Sequence, residues 1–338
     1  MLSGQPSNFA GVTAGWRSKA PVFVLGSVRS GTTLLYHMLL SSGNFVVYRT
    51  ESNVFNLLEP RFGNLSGKRN QQRLLNAWYN SRLYALTGLD KKQLESRLAA
   101  ECRNGGDFLR IVMEEMARLQ GVQRWADTTP DHILYLDRIK QTIPDALIVH
   151  IIRDGRDAAL SANKQHYVRA LQWDHTPGLL IAAMYWELMV RKGRKAGHKL
   201  GGDYMEVHFE ELIQRPRETL AKIGTFIEHD LDYDRIQRVA IGSVSRPNTS
   251  FEEKESFNPV GRWKSDYSHK ELAEVEALTG DTLKEFGYEL ATEDAGALHR
   301  PDLQRTKALY KFYFDSKLYL KAKTFLGRLF VTRDLSWV

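Results

Sequence analysis

The chain has 338 residues, a single cysteine at Cys102 and a net charge of +7 at pH 7. This length suits one large α/β domain or two small ones, and one cysteine excludes an intrachain disulfide and a cysteine metal cluster. No apolar run approaches the roughly 20 residues that cross a bilayer, and the N-terminal stretch lacks the apolar core of a signal peptide. We therefore expect a cytosolic enzyme whose positive charge suits anionic ligands or acidic surfaces.

Early in the chain, a strand, a glycine-bounded loop and a helix are predicted in succession. Val22–Leu25 is a short apolar run typical of a buried strand, and from Thr32 onward the apolar residues follow helical spacing. The N–H groups of the intervening loop, Gly26–Gly31, and of the first helical turn point at one spot, where they bind an anion. Arg29 and the hydroxyls of Thr32 and Thr33 add donors, so the sequence predicts a phosphate site.

This loop differs from the nucleoside-triphosphate motif at one position. Its spacing G-x-x-x-x-G-T-T is close to G-x-x-x-x-G-K-[ST], but Thr32 stands where that motif has the lysine that reaches the β- and γ-phosphates. A triphosphate-cleaving enzyme is therefore disfavoured. A donor with one phosphate, or with one phosphate bearing a different leaving partner, fits better. The simpler alternative is a tight strand–helix turn that binds no ligand.

The segment VLGSVRSGTTLL resembles the 5′-phosphosulfate loop of sulfotransferases that use 3′-phosphoadenosine 5′-phosphosulfate (PAPS). It is most similar to the branch of bacterial and tyrosylprotein sulfotransferases, which has arginine before S-G-T-T. The resemblance implies PAPS as donor and 3′-phosphoadenosine 5′-phosphate (PAP) as product. The loop residues that it implies as donor contacts are Ser27, Arg29, Ser30, Gly31, Thr32 and Thr33. We expect no metal, because fixed cations and amides can neutralise the donor.

A candidate catalytic carboxylate follows the next β-like run. Phe45–Tyr48 predicts a second strand, and polar residues just beyond a strand of an α/β sheet lie where ligands bind. In the tyrosylprotein branch, a glutamate near the position of Glu51, followed by Thr-Arg, is the general base. Here Glu51-Ser52-Asn53 has one extra residue in the spacing, and Asn53 replaces the arginine, which argues against an acidic peptide acceptor. Alternatively, Glu51 is a carboxylate that stabilises a helix N-terminus.

A helical cap over the site is predicted for about residues 60–122. Its aromatics Trp78, Tyr79 and Tyr84 either line an acceptor pocket or, more simply, belong to the core. The segment DTTP from Asp127 then keeps the Thr-Pro of many sulfotransferases but lacks the lysine that precedes it. If that lysine stabilises sulfuryl charge in relatives, Arg29 or another cation must do so here. Periodicity predicts helices over 71–86, 91–102, 107–119, 131–143, 179–192 and 272–286, and strands over 146–152 and 204–209.

A second phosphate site is predicted after the apolar strand at 146–152. Arg153 lies at the carboxyl end of this strand, and Ser161 lies about two turns into a helix that begins near Arg156. Because helical side chains lean towards the N-terminus, both residues can reach one anion beside the first loop. The family's 3′-phosphate segment has this arginine and a serine eight positions later. Two phosphate sites imply a bisphosphorylated nucleotide, whereas Arg153 alone would pair with Asp157 at the surface.

A third segment, Gly261-Arg262-Trp263-Lys264, follows the polar stretch 245–258, which predicts a mobile loop. Relatives have a segment rich in Gly, Arg, Trp and Lys here that folds over the 3′-phosphate and the adenine. By this resemblance, Gly261 permits close backbone approach, Arg262 and Lys264 bring charge, and Trp263 brings a flat ring or a packing anchor.

The resemblance covers about residues 19–290 and implies one α/β domain with a P-loop-like, mainly parallel sheet and helices on both faces. We predict a flexible N-terminal lead over 1–19, the sulfotransferase domain over 20–290 with its cap, and a basic amphipathic helical tail over 291–338. The tail is expected to pack on its own domain or on a homodimer mate. Peripheral membrane contact through the tail is the alternative.

The predicted activity is in-line transfer of the sulfuryl group of PAPS to an acceptor hydroxyl. Glu51 takes the acceptor proton, while Arg29, the loop N–H groups and Thr33 stabilise charge on the departing phosphate. The acceptor is a small molecule, carbohydrate, lipid or peptide tyrosine, and no nucleic-acid partner is expected. The alternatives are a P-loop phosphotransferase that needs ATP and Mg²⁺, and a non-catalytic module that binds nucleotide or anionic polymer.

Overall fold

The computed structural model describes residues 15–244, 258–292 and 301–323. In these ranges the sheet has four strands, β1 (Val22–Leu25), β2 (Ala126–Asp127), β3 (Leu147–Ile152) and β4 (Tyr204–His208), in the order β2-β1-β3-β4. All pairings of these strands are parallel, with Phe23 opposite Ile148 and Ile148 opposite Tyr204. The predicted mainly parallel sheet is confirmed.

Helices account for most of the rest of the described ranges. They are α1 (Thr32–Ser41), α2 (Glu59–Phe62), α3 (Lys68–Tyr79), α4 (Arg82–Ala85), α5 (Lys91–Glu101), α6 (Gly105–Gln120), α7 (Leu136–Thr142), α8 (Gly155–Lys164), α9 (Gly178–Gly197), α10 (Phe209–Gln214), α11 (Pro216–Ile227), α12 (Tyr233–Val239), α13 (Trp263–Asp266), α14 (His269–Glu285) and α15 (Pro301–Lys323). A π-helical turn spans Val54–Leu58, and 3-10 turns span Pro130–Tyr135, His198–Asp203 and Gly242–Val244.

Strands β1 and β3 are buried on both faces, because alternate side chains enter two separate apolar layers. Phe23 and Leu25 of β1 pack with the core of α3 to α7. Val22 and Val24 pack with α1 and α10 to α12 on the other face. This double burial explains why β1 is a continuous apolar run in the sequence and why β3 is apolar apart from His150. Helices on both faces are confirmed.

The prediction of a strand at Phe45–Tyr48 is wrong. Only Phe45 forms a β-bridge, with Arg124, and the Val46 N–H donates to the Arg124 carbonyl at 2.7 Å. At the next residue, the Gln120 side chain takes the place of a neighbouring strand. Its Oε1 accepts from the Val47 N–H at 2.8 Å, and its Nε2 donates to the Val47 carbonyl. A side-chain amide therefore ends the ladder after a single bridge.

Two helices predicted as continuous are divided. The segment 71–86 breaks between α3 and α4, where Ser81 caps α4 by accepting from the Tyr84 N–H. The segment 131–143 begins as the 3-10 turn Pro130–Tyr135 and becomes α-helical only at α7. In both cases a local hydrogen bond or turn interrupts the helix, although the helical spacing of the apolar residues continues through the segment.

Helix α15 packs on its own domain against α9 and α14. Leu303, Tyr310 and Phe314 are buried there, and the Lys307 ammonium lies 3.0 Å from the Glu187 carboxylate. Within the described helices, none combines the length and the apolarity that a membrane span requires.

The last residues of the predicted N-terminal lead contact the domain. Arg17 donates to the Gly202 carbonyl at 2.7 Å and pairs with Asp203 at 3.2 Å. Residues 1–14 of that lead, 245–257 of the predicted mobile loop, and 293–300 and 324–338 of the tail lie outside the described residues.

Candidate active site

A cavity of about 1100 Å³ opens at the carboxyl ends of β1 and β3. Ligands of open α/β sheets bind at this edge, because the loops after parallel strands meet there. The predicted site residues that line the cavity are Arg29, Gly31, Thr32, Thr33, Glu51, Arg153, Ser161 and Arg262. Segments that lie far apart in the sequence therefore contribute to one site.

The loop after β1 has the tight geometry that its glycines predict. Gly31 has a φ of 93°, and a Cβ placed on it would lie 2.3 Å from the Phe209 ring, so only glycine fits. The Ser30 N–H donates to the Ser27 carbonyl at 3.1 Å. Ser27 and Ser30 of this loop are buried and do not line the cavity wall. Their role in donor binding stays a prediction.

The two predicted phosphate motifs are in direct contact. The Arg29 Nε donates to the Ser161 hydroxyl at 3.0 Å, and the Arg153 Nη1 donates to the Arg29 carbonyl at 2.8 Å. Arg153 is only 6% exposed, and its guanidinium lies over the Phe209 ring. A surface ion pair between Arg153 and Asp157 is therefore not formed.

Cations converge around Arg153. Burial lowers the pKa of this arginine, Asp157 and Glu210 act to raise it, and the neighbouring charges of Arg262 and Arg29 lower it further. An anion placed among these arginines would relieve both the desolvation and the repulsion.

Several buried polar atoms at or near the cavity lack a hydrogen-bond partner among the described residues. They include the Arg153 Nε, the Ser30 Oγ and the Asn56 Oδ1. Buried polar atoms are rarely left unpaired, so each calls for a water molecule or a ligand. The two donors, Arg153 Nε and Ser30 Oγ, belong to the predicted phosphate motifs, as expected of a site built for an anion, whereas the Asn56 Oδ1 is an acceptor outside both motifs.

The segment Gly261–Lys264 is hydrogen-bonded to the first turn of α8. Asp157 accepts from the Gly261 N–H at 2.7 Å and from the Trp263 N–H at 3.0 Å. The Trp263 indole stacks on Arg156. Arg262 thus reaches the cavity wall, whereas Gly261, Trp263 and Lys264 do not line it.

Glu51 is exposed on the cavity wall, in a loop that a buried polar network holds in place. The Asn53 N–H donates to the Thr129 hydroxyl at 3.1 Å, and the Phe55 N–H donates to His132 Nε2 at 3.1 Å. The other ring nitrogen of His132 lies 2.8 Å from the Asp127 carboxylate. The residues after Glu51 are therefore tied to the DTTP segment.

Burial alone would raise the pKa of Asp127. The attraction and hydrogen bond of His132 outweigh this effect, with help from Ser52 and Thr129, so the pKa is lowered. Asp127 is thus an ionised structural anchor. The sequence showed the DTTP segment as a departure from the family pattern, but His132 carried no signal of its own.

The rest of the cavity wall was not predicted. One apolar and aromatic part of it comes from the turn Pro130–Tyr135, α9 and α15, and includes Leu134, Tyr135, Tyr185, Leu188, Tyr313, Phe314 and Leu318. The cap aromatics Trp78, Tyr79 and Tyr84 pack on the core and are not on this wall, as the simpler of their two interpretations predicts.

A family model described as the sulfotransferase family matches residues 21–233. This chain belongs to the sulfotransferase family. The match covers all four strands and the helices between them, and it confirms the family that the loop after β1 indicates. That the helices over 60–122 form a cap over the site stays a prediction, and none of their residues lines the cavity. Similarity to the bacterial and tyrosylprotein branch stays a prediction.

Two solved structures resemble this sulfotransferase. The sulfotransferase domain from the Synechococcus PCC 7002 olefin synthase is 18% identical, with a TM-score of 0.55 over 80% of this chain and 95% of that domain. The sulfotransferase domain from the curacin biosynthetic pathway is 15% identical, with a TM-score of 0.51 over 80% of this chain and 98% of that domain. At these identities the likeness shows the fold alone.

A sequence relative, an uncharacterised protein of Aquifex aeolicus (strain VF5), is 26% identical over 223 residues. The aligned part is 63% of this sulfotransferase and 26% of that protein. The chain thus spans about a quarter of the length of the curated relative it matches.

Proposed function

We propose that this sulfotransferase transfers the sulfuryl group of PAPS to a hydroxyl of its acceptor. The observation that carries the proposal is the contact between its two anion sites, in which Arg29 bonds Ser161 and Arg153 bonds the Arg29 carbonyl. Adjacent anion sites at one sheet edge suit a nucleotide with charged groups at both its 5′ and 3′ positions. A donor with a single phosphate would leave one site without a ligand.

The residues present fit PAPS. The loop N–H groups, Thr32 and Thr33 would hold the 5′-phosphosulfate, and Arg153, Ser161 and Arg262 would hold the 3′-phosphate. The buried Arg153 Nε and Ser30 Oγ, which lack partners among the described residues, support this assignment. PAPS supplies an activated sulfuryl group with PAP as its leaving group.

In this proposal Glu51 accepts the proton of the acceptor hydroxyl. A bond then forms between the acceptor oxygen and sulfur as the bond between sulfur and the phosphate oxygen breaks. Arg29 and Thr33 stabilise the charge that returns to the phosphate, and Arg29 takes the part of the lysine that the DTTP segment lacks. A positioned base contributes about 10²–10⁴-fold to such a reaction.

Calorimetry with PAP and AMP tests the donor assignment. We expect PAP to bind about 10- to 100-fold more tightly, because a hydrogen bond to a charged group contributes roughly 1.5–3 kcal/mol. Equal affinities would contradict the 3′-phosphate site.

Transfer itself is tested with isotopically labelled PAPS and a panel of hydroxyl acceptors, read by mass spectrometry for added sulfate. We expect sulfate on at least one acceptor. PAP affinity without transfer to any of them would favour the non-catalytic alternative, and transfer from ATP with Mg²⁺ would favour the phosphotransferase.

A further inference from the structure

Helix α15 forms part of the cavity wall, although it lies well beyond the segment that the family model matches. Its wall residues are Tyr313, Phe314, Lys317, Leu318 and Lys321. Their spacing of three or four residues puts them on one face of the helix. One helical face therefore presents two aromatic rings, a leucine and two lysines to the site.

This face is held in place by buried contacts. The Tyr310 hydroxyl donates to the Asp174 carboxylate at 2.6 Å and accepts from the Leu171 N–H at 3.2 Å. The Phe314 ring packs edge-on against Tyr185, with 5.3 Å between the centroids. Since Tyr310 and Phe314 are both buried, α15 is an integral part of the wall.

Positive charge exceeds negative charge on the cavity wall. Among the described residues that line it, the arginines and lysines are Arg29, Arg153, Arg169, Arg262, Lys317 and Lys321, and the carboxylates are Glu51 and Asp131. The proposed donor uses three of these arginines. Asp131 accepts from the Tyr185 hydroxyl at 3.0 Å. The α15 lysines therefore add charge that the donor does not require.

Lys317 is the better defined of these two lysines. Its ammonium lies 3.5 Å from the Tyr313 hydroxyl and 5.6 Å from the centre of the same ring. In the part of the chain that the structure describes, no carboxylate lies within ion-pair distance of Lys317. A cation beside aromatic rings suits a ligand with a flat body and an acidic group.

We propose that the α15 face is the acceptor subsite and that the acceptor is an aromatic hydroxyl compound with a carboxylate. The aromatic body would pack against Tyr135, Tyr185 and Phe314, and the carboxylate would lie at Lys317 with support from Lys321. This proposal rests on the proposed function, because it identifies the acceptor of the same cavity.

The experiment compares two probes with the same phenol ring, of which only one is charged, 4-hydroxyphenylacetate and its methyl ester. Both are titrated by calorimetry into the full chain saturated with PAP. We expect the acid to bind about 5-fold more tightly than the ester, and the difference to shrink at high salt. Lys317→Glu should remove or invert this preference and leave PAP affinity unchanged.

Lys311→Glu is the matched control, because Lys311 is exposed on the same helix but does not line the cavity. It makes the same change of charge and should keep the preference for the acid. Equal binding of the two probes, binding of neither, or equal effects of the two substitutions would overturn the acceptor proposal. The PAP and AMP titrations separate this failure from a failure of the proposed function, since they do not depend on the acceptor.

Discussion

The proposed donor half and the proposed acceptor half of the cavity are built in different ways. The proposed donor half comes from the ends of two adjacent strands, β1 and β3, and its loop is held both by a bond within the loop, from the Ser30 N–H to the Ser27 carbonyl, and by the bond from Arg153 to the Arg29 carbonyl. The acceptor half comes from the turn Pro130–Tyr135, α9 and α15, which contribute side chains from helical surfaces.

This difference has a physical consequence for substitution. A loop whose N–H groups bind an anion needs glycine at Gly31, where a Cβ would clash with Phe209. A wall of side chains needs only a surface of suitable size and charge. We therefore expect the donor half to tolerate little change, and the acceptor half to accept substitutions that alter which acceptor binds.

The largest effect is expected for Glu51→Gln, on the cavity wall. Loss of the proposed base should lower turnover about 10²–10⁴-fold. PAP affinity should not change, because Glu51 is assigned to the acceptor proton and not to the donor phosphates. Single-turnover kinetics with PAPS and calorimetry with PAP measure the two quantities separately.

Glu218→Gln provides the control, because Glu218 is exposed on α11 and lies off the cavity wall. Its turnover and its PAP affinity should equal those of the unsubstituted chain. Normal turnover of Glu51→Gln would rule out Glu51 as the base.

A smaller effect, confined to the donor half, is expected for Arg153→Ala. Loss of one partner of a buried, hydrogen-bonded charge pair costs about 2–5 kcal/mol, so PAP affinity should fall by roughly 100-fold. AMP affinity should change far less, because AMP has no 3′-phosphate. Calorimetry with both nucleotides gives the comparison.

Arg153 also donates to the carbonyls of Arg29 and Pro259, so its removal should lower the melting temperature as well. Arg153→Lys keeps the charge and loses the planar guanidinium fork. Its PAP affinity should therefore lie between those of the unsubstituted chain and Arg153→Ala. Parallel losses for PAP and AMP would mean that Arg153 is only structural.

The smallest effect is expected for Tyr310→Phe, in the acceptor half. Burial, together with the hydrogen bond to Asp174, raises the pKa of Tyr310 to about 12, so its hydroxyl remains a donor at neutral pH. Without this hydroxyl, the segment at Leu171 and Asp174 loses two bonds to α15. We expect the acceptor KM to rise about 3-fold, since a net hydrogen bond contributes roughly 1 kcal/mol, while PAP affinity stays the same.

Tyr319→Phe serves as the control for α15, because Tyr319 is 63% exposed and lies off the cavity wall. Acceptor KM should be unaffected by it. A loss of PAP affinity in Tyr310→Phe, with an unchanged acceptor KM, would contradict the division of the cavity into two halves.

The sequence by itself determined the family, the parallel sheet and the positions of the two anion motifs. It could do so because a glycine loop before a helix and an arginine after an apolar strand depend on residue type and local spacing. Arg29, Arg153 and Ser161 therefore lie on one wall as expected. The sequence did not predict the packing of Trp263, since its indole stacks on Arg156, a partner more than a hundred residues away in the chain.

Only the tertiary structure decided where the sheet ends and how the proposed acceptor half is built. Gln120 replaces a strand at Val47, and α15 meets Tyr185 across the cavity wall. Neither contact has a local pattern, because each joins side chains that become neighbours only when the helices pack. The backbone geometry of a loop is determined largely by residues close to it in the sequence. The shape of a wall made of helix surfaces depends on how the whole chain folds.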